Sequence, residues 1–180
     1  MFGNERRTLV QSTAFTDEDL EHSMSPPEID LYSEFFGLTD ALTTAEVLFA
    51  VCGGVAVAIH GYPRFTRDID LLIERCDEHR VREIAYRLGF VLEGGRMPVG
   101  DNPASAWEIA RVSKVIGKDI LALNLWLVGP AIQTVWESRL VAEFNGRLIS
   151  VVSREGLRTL KLISGRKQDL IDLEQLGLEP

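Results

Sequence analysis

A glycine pair, Gly53-Gly54, lies a short way upstream of Arg64-Phe65-Thr66-Arg67-Asp68-Ile69-Asp70. In an extended strand, side chains two residues apart share a face. Thr66, Asp68 and Asp70 therefore point one way, while Ile69, Leu71 and Ile73 point into a core. Two neighbouring carboxylates repel each other, and a hard divalent cation such as Mg²⁺ relieves that repulsion. Such an ion takes one or two carboxylates and completes its shell with substrate phosphate oxygens. Glycines that close a strand and open a helix let backbone N–H groups approach a phosphate closely. Singly, each feature is common: D-x-D on a strand face is more often solvated acid, and Gly-Gly more often a tight turn. In combination they describe a site for a metal-bound polyphosphate.

Two further groupings carry charge or ligating atoms. Arg154, Arg158 and Lys161 fall at helical spacing on one face, and with Arg166 and Lys167 they form the only dense basic cluster of the chain. Such a face is either solvated or a site for a triphosphate or an RNA end. Asp169 and Asp172 are expected to pair locally with Arg166 or Lys167. Cys76 and His79 have the gap of half a zinc site, but no second Cys/His pair follows, and four ligands are the structural norm. No zinc site is expected.

The elements that must position these residues read as follows. Ile29, Leu31, Tyr32, Phe35, Phe36, Leu38 and Leu42 recur at helical spacing, with a break expected near Gly37. Residues 47–52 are a continuous apolar run that stops at the glycine pair, as a buried strand would. A short helix over 55–60, a strand over 66–74 and a helix over 79–88 follow. Runs 107–115 and 120–128 read as strands joined by a hairpin turn at Ile116-Gly117-Lys118-Asp119. Pro130 opens a helix expected over 131–141, and 148–152 is a last strand. Ser153 caps a helix through Ser164, and Gly165 separates it from a final helix over 167–176. The order predicts an α+β domain, a mixed β-sheet flanked by helices, over residues 28–180.

Residues 1–27 are polar, carry Asp17-Glu18-Asp19-Leu20-Glu21 and end in Pro26-Pro27. They read as a disordered arm or a partner-docking segment. The 180 residues are 46% hydrophobic and 26% charged, which excludes a wholly disordered chain. The longest apolar run, 47–59, contains two glycines and is shorter than the ~20 residues of a membrane span. No secretion signal is recognisable behind Met1, so the two cysteines are expected as reduced thiols in a cytoplasmic protein. The net charge of −8 argues against a general nucleic-acid coat, although one local basic site is compatible with it.

The text Val51-Cys52-Gly53-Gly54-Val55-Ala56, followed by His60-Gly61-Tyr62-Pro63-Arg64-Phe65-Thr66-Arg67-Asp68-Ile69-Asp70-Leu71, resembles the signature of the DNA polymerase β-like nucleotidyltransferase superfamily. Within it, the likeness is to bacterial nucleotidyltransferases of the AbiEii/MenT toxin type. Residues 161–173, from Lys161 to Leu173, are similar to the C-terminal block of the same group. The resemblance implies a palm-like fold and transfer of an NMP from an NTP to an acceptor hydroxyl on an RNA end such as tRNA, a protein or a small molecule. A toxin–antitoxin or phage-defence setting, with a cognate antitoxin as partner, goes with it. By the same resemblance, Asp68 and Asp70 would hold Mg²⁺ or Mn²⁺ and serve catalysis. Gly53 and Gly54 would hold the triphosphate, and Arg64, Thr66 and Lys161 would contact phosphate. The group usually has a third carboxylate on a following strand, where this chain has Asn124. An amide is a poorer Mg²⁺ ligand and no base. Asp119 or Glu108 would substitute only in another register. The alternative to an active enzyme is therefore a weakened nucleotidyltransferase fold that binds a nucleotide or a protein. A scaffold without ligand would leave the paired acids unexplained.

Overall fold

The structure, a computed structural model, describes residues 29–99 and 107–179; the polar arm at 1–27 lies outside them. The site rests on two adjacent central strands. β1 (Phe49–Cys52) is buried at every position, as a strand with covered faces must be. Its end runs directly into helix α2 (Gly53–Ile59). β2 (Asp68–Ile73) returns antiparallel to β1, with Cys52 opposite Asp70. Along β2, Ile69, Leu71 and Ile73 are fully buried, while Asp68 and Asp70 remain partly exposed.

Among the described residues, seven strands form one mixed sheet in the order β3 (Leu92–Val99), β4 (Trp107–Ile116), β5 (Asp119–Leu127), β2, β1, β7 (Arg147–Val151) and β6 (Leu140–Phe144). β4 (Trp107–Ile116) and β5 (Asp119–Leu127) are the expected hairpin, and β5 runs parallel to β2 with Asn124 opposite Asp70. Helix α1 (Leu31–Thr44), capped by Asp30, covers one face of the sheet, where Lys114 of β4 reaches Glu34 at 2.8 Å. Helix α3 (Glu78–Arg87) packs beside α1. On the opposite face lie α2, α5 (Arg154–Ser164) and α6 (Lys167–Gln175). Ser153 caps α5 by accepting from the Gly156 amide at 3.0 Å, and Gly165 ends it at a φ of 61°.

Three expectations change. Gly37 does not break α1, because its position opens onto free space and the apolar stripe on either side of it packs continuously. Strand β3 (Leu92–Val99), an outer edge of the sheet, has no apolar alternation and contains Gly94, Gly95 and Pro98, so the sequence concealed it. Ion pairs hold it instead: Arg96 reaches Glu78 at 2.7 Å and Glu108 at 3.1 Å, and Arg82 reaches Glu93 at 2.5 Å. The helix expected over 131–141 shortens to a turn at Pro130–Ile132 and α4 (Gln133–Glu137). The chain then enters β6 (Leu140–Phe144), which pairs with β7 (Arg147–Val151). Asn145-Gly146 joins them at φ 51° and 75°, the positive values a tight hairpin turn demands. That turn diverts β-prone Leu-Val-Ala-Glu-Phe from helix to edge strand.

Candidate nucleotide and metal site

Gly53 is required twice over. Its φ is +62°, and a Cβ there would lie 2.0 Å from Asp70 Oδ2. Gly54 is constrained by space alone, since its Cβ would stand 2.6 Å from Thr66 Oγ1. The glycine pair therefore lies directly against the strand that carries the acids. Asp68 stands two residues before Asp70 on the same face, opposite Ala122 of β5.

Asp70 Oδ1 accepts from Asn124 Nδ2 at 2.9 Å and from the Trp126 indole at 3.1 Å. Burial pushes the Asp70 carboxyl above its ordinary value and Asp68 adds to the rise, while the bonds from Asn124 and Trp126 and the charge of Arg166 oppose it. Asn124, 5% exposed, accepts through Oδ1 from Arg111 Nε at 2.7 Å. A guanidinium has donors only, so the amide carbonyl must face Arg111 and the amide nitrogen must face Asp70. The third position of the site thus presents N–H groups to the acids rather than an oxygen to a cation. Glu108 and Asp119 do not replace it. Glu108 lies on the other face of β4 from Arg111, bound to Arg75 at 2.6 Å, and Asp119 is exposed at the start of β5.

The second sequence block folds into a buried ion cluster. Lys161, 3% exposed, donates to Asp169 at 3.0 Å and Asp172 at 2.5 Å. Arg64 clasps Asp172 with two bonds, 2.6 and 2.7 Å, and Arg166 donates to Asp169 at 2.8 Å. Burial alone would raise both carboxyls; the bonds from Arg64, Arg166 and Lys161 outweigh it and hold them below the usual aspartate range. The ammonium of Lys161 thus has two carboxylate partners out of solvent, and Arg64 anchors the segment that leads into Thr66 and Asp68. Arg154 and Arg158 bind carbonyls at the chain end, Leu176 and Glu179, so the basic face expected on α5 is dispersed. Cys76 sits beside Glu74 at 3.8 Å and His79 beside Glu83 at 3.9 Å.

A cleft of about 260 Å³ opens over Asp70 and Asn124, walled by β3–β5 on one side and by Ile163, Ser164 and Arg166 on the other. The sequence reading missed Arg111, Trp126 and Trp107 in this cleft. The hairpin register held the signal: a turn at 116–119 places Arg111 opposite Asn124. Asp68 and Asp70 fit a hard cation. They share one strand face, Asp70 keeps Oδ2 clear of the Asn124 and Trp126 bonds, and the absence of a side chain at Gly53 lets that carboxylate lie directly against the strand-to-helix turn. Two carboxylates suffice for Mg²⁺ when a substrate supplies the other oxygens.

No family model matches the chain, and neither does any curated protein sequence. Solved structures do. Similar folds occur in TM1012 of Thermotoga maritima, described as a nucleotidyltransferase (16% identity, TM-score 0.55, 86% of this chain and 96% of that one). The lincosamide antibiotic adenylyltransferase LnuA, solved with lincomycin, is similar at 17% identity and TM-score 0.55, over 81% of this chain and 95% of that one. ANT(2")-Ia, solved with adenylyl-2"-tobramycin, is similar at 15% identity and TM-score 0.51, over 80% and 85%. At these identities the likeness is one of architecture: a mixed sheet with helices on both faces, built as it is in nucleotidyltransferases.

Proposed function

We propose that this chain is a nucleotidyltransferase that moves an NMP from an NTP to an acceptor hydroxyl. The observation that carries the proposal is the contact of Gly53 with Asp70 Oδ2, with Asp68 on the same strand face. It joins a backbone cradle for phosphate to a pair of carboxylates for Mg²⁺ or Mn²⁺. When bound, the ion would neutralise polyphosphate charge and lower the pKa of the attacking hydroxyl. The acceptor oxygen bonds to the α-phosphorus, the α–β bridging P–O bond breaks, and pyrophosphate leaves with its electron pair. The hydroxyl proton is left to water, because Asn124 cannot take it. Thr66 stands at Gly54 and completes the phosphate side. Arg64 and Lys161 act on that side indirectly, by fixing the loop before β2 and the α5–α6 hairpin.

The AbiEii/MenT-like text around residues 51–71 supports a cytoplasmic toxin–antitoxin or phage-defence role. The acceptor would then be an RNA end such as tRNA, or a protein, and the partner a cognate antitoxin. Small-molecule acceptors are the other class, as the lincomycin and tobramycin of the structural neighbours illustrate for those proteins. One observation favours a second reading. The Asn124 amide turned toward Asp70 suits a module that binds nucleotide with little turnover. Incubation with each labelled NTP, Mg²⁺ or Mn²⁺, and total tRNA, cell lysate or small alcohols separates the readings. Label transferred covalently supports the enzyme. Saturable NTP binding without transfer supports the module, and no NTP binding refutes both.

A further inference from the structure

A second cavity, of about 510 Å³, lies ahead of β2, away from the cleft at Asp70. Phe65, Thr66 and Arg67 line it on one side, Lys118 and Ile120 of the β4–β5 hairpin on another, and Ile29 closes it where the described chain begins. Its surface is apolar where water reaches it. Phe65 is 78% and Ile120 59% exposed, and Val115, 55% exposed, stands opposite Ile120 on β4. An exposed apolar patch rimmed by charge is how a docking surface presents itself. The rim is basic: Arg67 stands over the Phe65 ring at 5.5 Å, and Lys118 is exposed in the hairpin turn. Among the described residues, neither Arg67 nor Lys118 is in an ion pair, and Asp119 is the one acid lining the cavity.

We propose that this cavity seats the chain's own acidic segment, Phe15-Thr16-Asp17-Glu18-Asp19-Leu20-Glu21. Three observations select that occupant. The chain enters the described structure at the cavity itself, since Ile29 is part of the wall. Glu21 is eight residues upstream of Ile29, a reach of at most about 29 Å at ~3.6 Å per residue, so the segment is tethered within range. The chemistry also matches. Asp17, Glu18, Asp19 and Glu21 complement Arg67 and Lys118, while Phe15 and Leu20 complement the apolar surface of Phe65, Val115 and Ile120. Exposed ion pairs are individually weak, so the apolar contact contributes most of the attraction and the charges set the register. The tether holds the segment at a local concentration on the order of mM, so a modest affinity suffices. A separate acidic protein would have to bind without that advantage. Thr66 lines the same cavity and stands at Gly54, so the seated segment borders the candidate site.

Disulfide trapping in the full chain tests this. A Cys76→Ser background leaves only the buried Cys52. In it, Thr16→Cys is combined with Asp119→Cys at the cavity, or with Leu148→Cys as the control. Neither Thr16 nor Asp119 makes a contact on which the docking depends, and Leu148 is exposed on β7, three strands from β5. The cavity pair should close within one chain about tenfold or more faster than the control pair. Added salt should slow it by screening. Arg67→Glu/Lys118→Glu should bring the rate down to that of the control, and adding Asp17→Lys/Asp19→Lys should restore it. Phe15→Ser/Leu20→Ser, changes made outside the described domain, should slow closure as well. Equal rates for the cavity and control pairs would overturn the proposal. A cavity rate untouched by either the charge reversal or the serine pair, with the variants folded by circular dichroism, would overturn it too. Disulfides formed only between chains would also overturn it, by showing that the cavity takes the segment of a second copy.

Discussion

Between Asp70 and Arg111 the chain places an amide, and the chemistry of each neighbour fixes how that amide turns. Arg111 only donates and Asp70 accepts, so Asn124 bridges cation to anion. Asn124→Asp would keep the bond to Arg111 but lose the donor to Asp70 and bring a third negative charge. Without metal the variant should be less stable by about 1–3 kcal/mol, the cost of a buried group left without its partner. With Mg²⁺ and NTP it should recover that loss, and transfer should rise by roughly 10²–10⁴-fold if a missing base is the only defect. Thermal melts with and without Mg²⁺, beside a transfer assay, check this. A variant as stable as the parent in both conditions would mean the bridge contributes nothing. Gly53→Ala is sharper still, because the new methyl would meet the Asp70 carboxylate and the backbone would be strained at φ +62°. It should lose NTP binding and about 1–3 kcal/mol of stability, whereas Gly37→Ala, which opens on free space, should gain slightly in a helix. Melts of the two variants side by side test the contrast. The residues that meet at this point were legible because each sits at a strand terminus or obeys strand parity. Arg111 was equally legible from the hairpin register, but a lone arginine in an alternating strand carries no mark of its own.

At the scale of elements, α5, α6 and the loop before β2 are fastened by the five-residue cluster of Arg64, Lys161, Arg166, Asp169 and Asp172. The local pattern of residues 161–173 foretells the Arg166–Asp169 pair but not the rest, because Arg64 comes from far away in the chain and only the folded hairpin brings it to Asp172. The text there suggested a phosphate contact for Lys161, while burial gives that side chain two carboxylates. Removing one member of such a cluster leaves a buried charge short of a partner. Lys161→Met should therefore cost about 3–5 kcal/mol. At a temperature where the variant remains folded, NTP affinity should be unchanged, and a large loss of affinity would show that Lys161 reaches the nucleotide after all. The cluster also sets an acid limit. Asp169 and Asp172 titrate below their ordinary 3.8 in the folded chain. Their contribution is complete above that value and disappears as pH falls through it toward the folded-state pKa values. Acid titration by circular dichroism should show a transition in that window, and Lys161→Met should move it to higher pH. The elements that escaped sequence reading, β3 and β6, are the two edges of the sheet. Edge strands are half-solvated, so the alternation that marks β2 or β5 is absent, and pairing with β4 or β7 decides their state instead.

Across the whole molecule the central strands were plain from their apolar runs, since a strand covered on both faces takes apolar side chains at nearly every position. The order in which they pair was not, because parallel pairing of β1 with β7 and β2 with β5 joins segments far apart in sequence. Those two pairings bring Asn124 and the α5–α6 hairpin around Asp68 and Asp70. Within the fold, Asp70 Oδ1 is satisfied by the chain's own donors, Asn124 and Trp126. Metal alone should consequently shift the melting temperature little, whereas NTP with Mg²⁺ should raise it. At a hundredfold excess over Kd the stabilisation is about 2.7 kcal/mol, and for a chain of this size each kcal/mol moves the midpoint by roughly 2–4 °C. Asp68→Asn/Asp70→Asn should start from an equal or slightly higher melting temperature, because a like-charge pair is gone, and should show no further rise with NTP and Mg²⁺. A double variant that still responds as the parent does would place the nucleotide elsewhere on the molecule, away from the glycine pair and the face of β2.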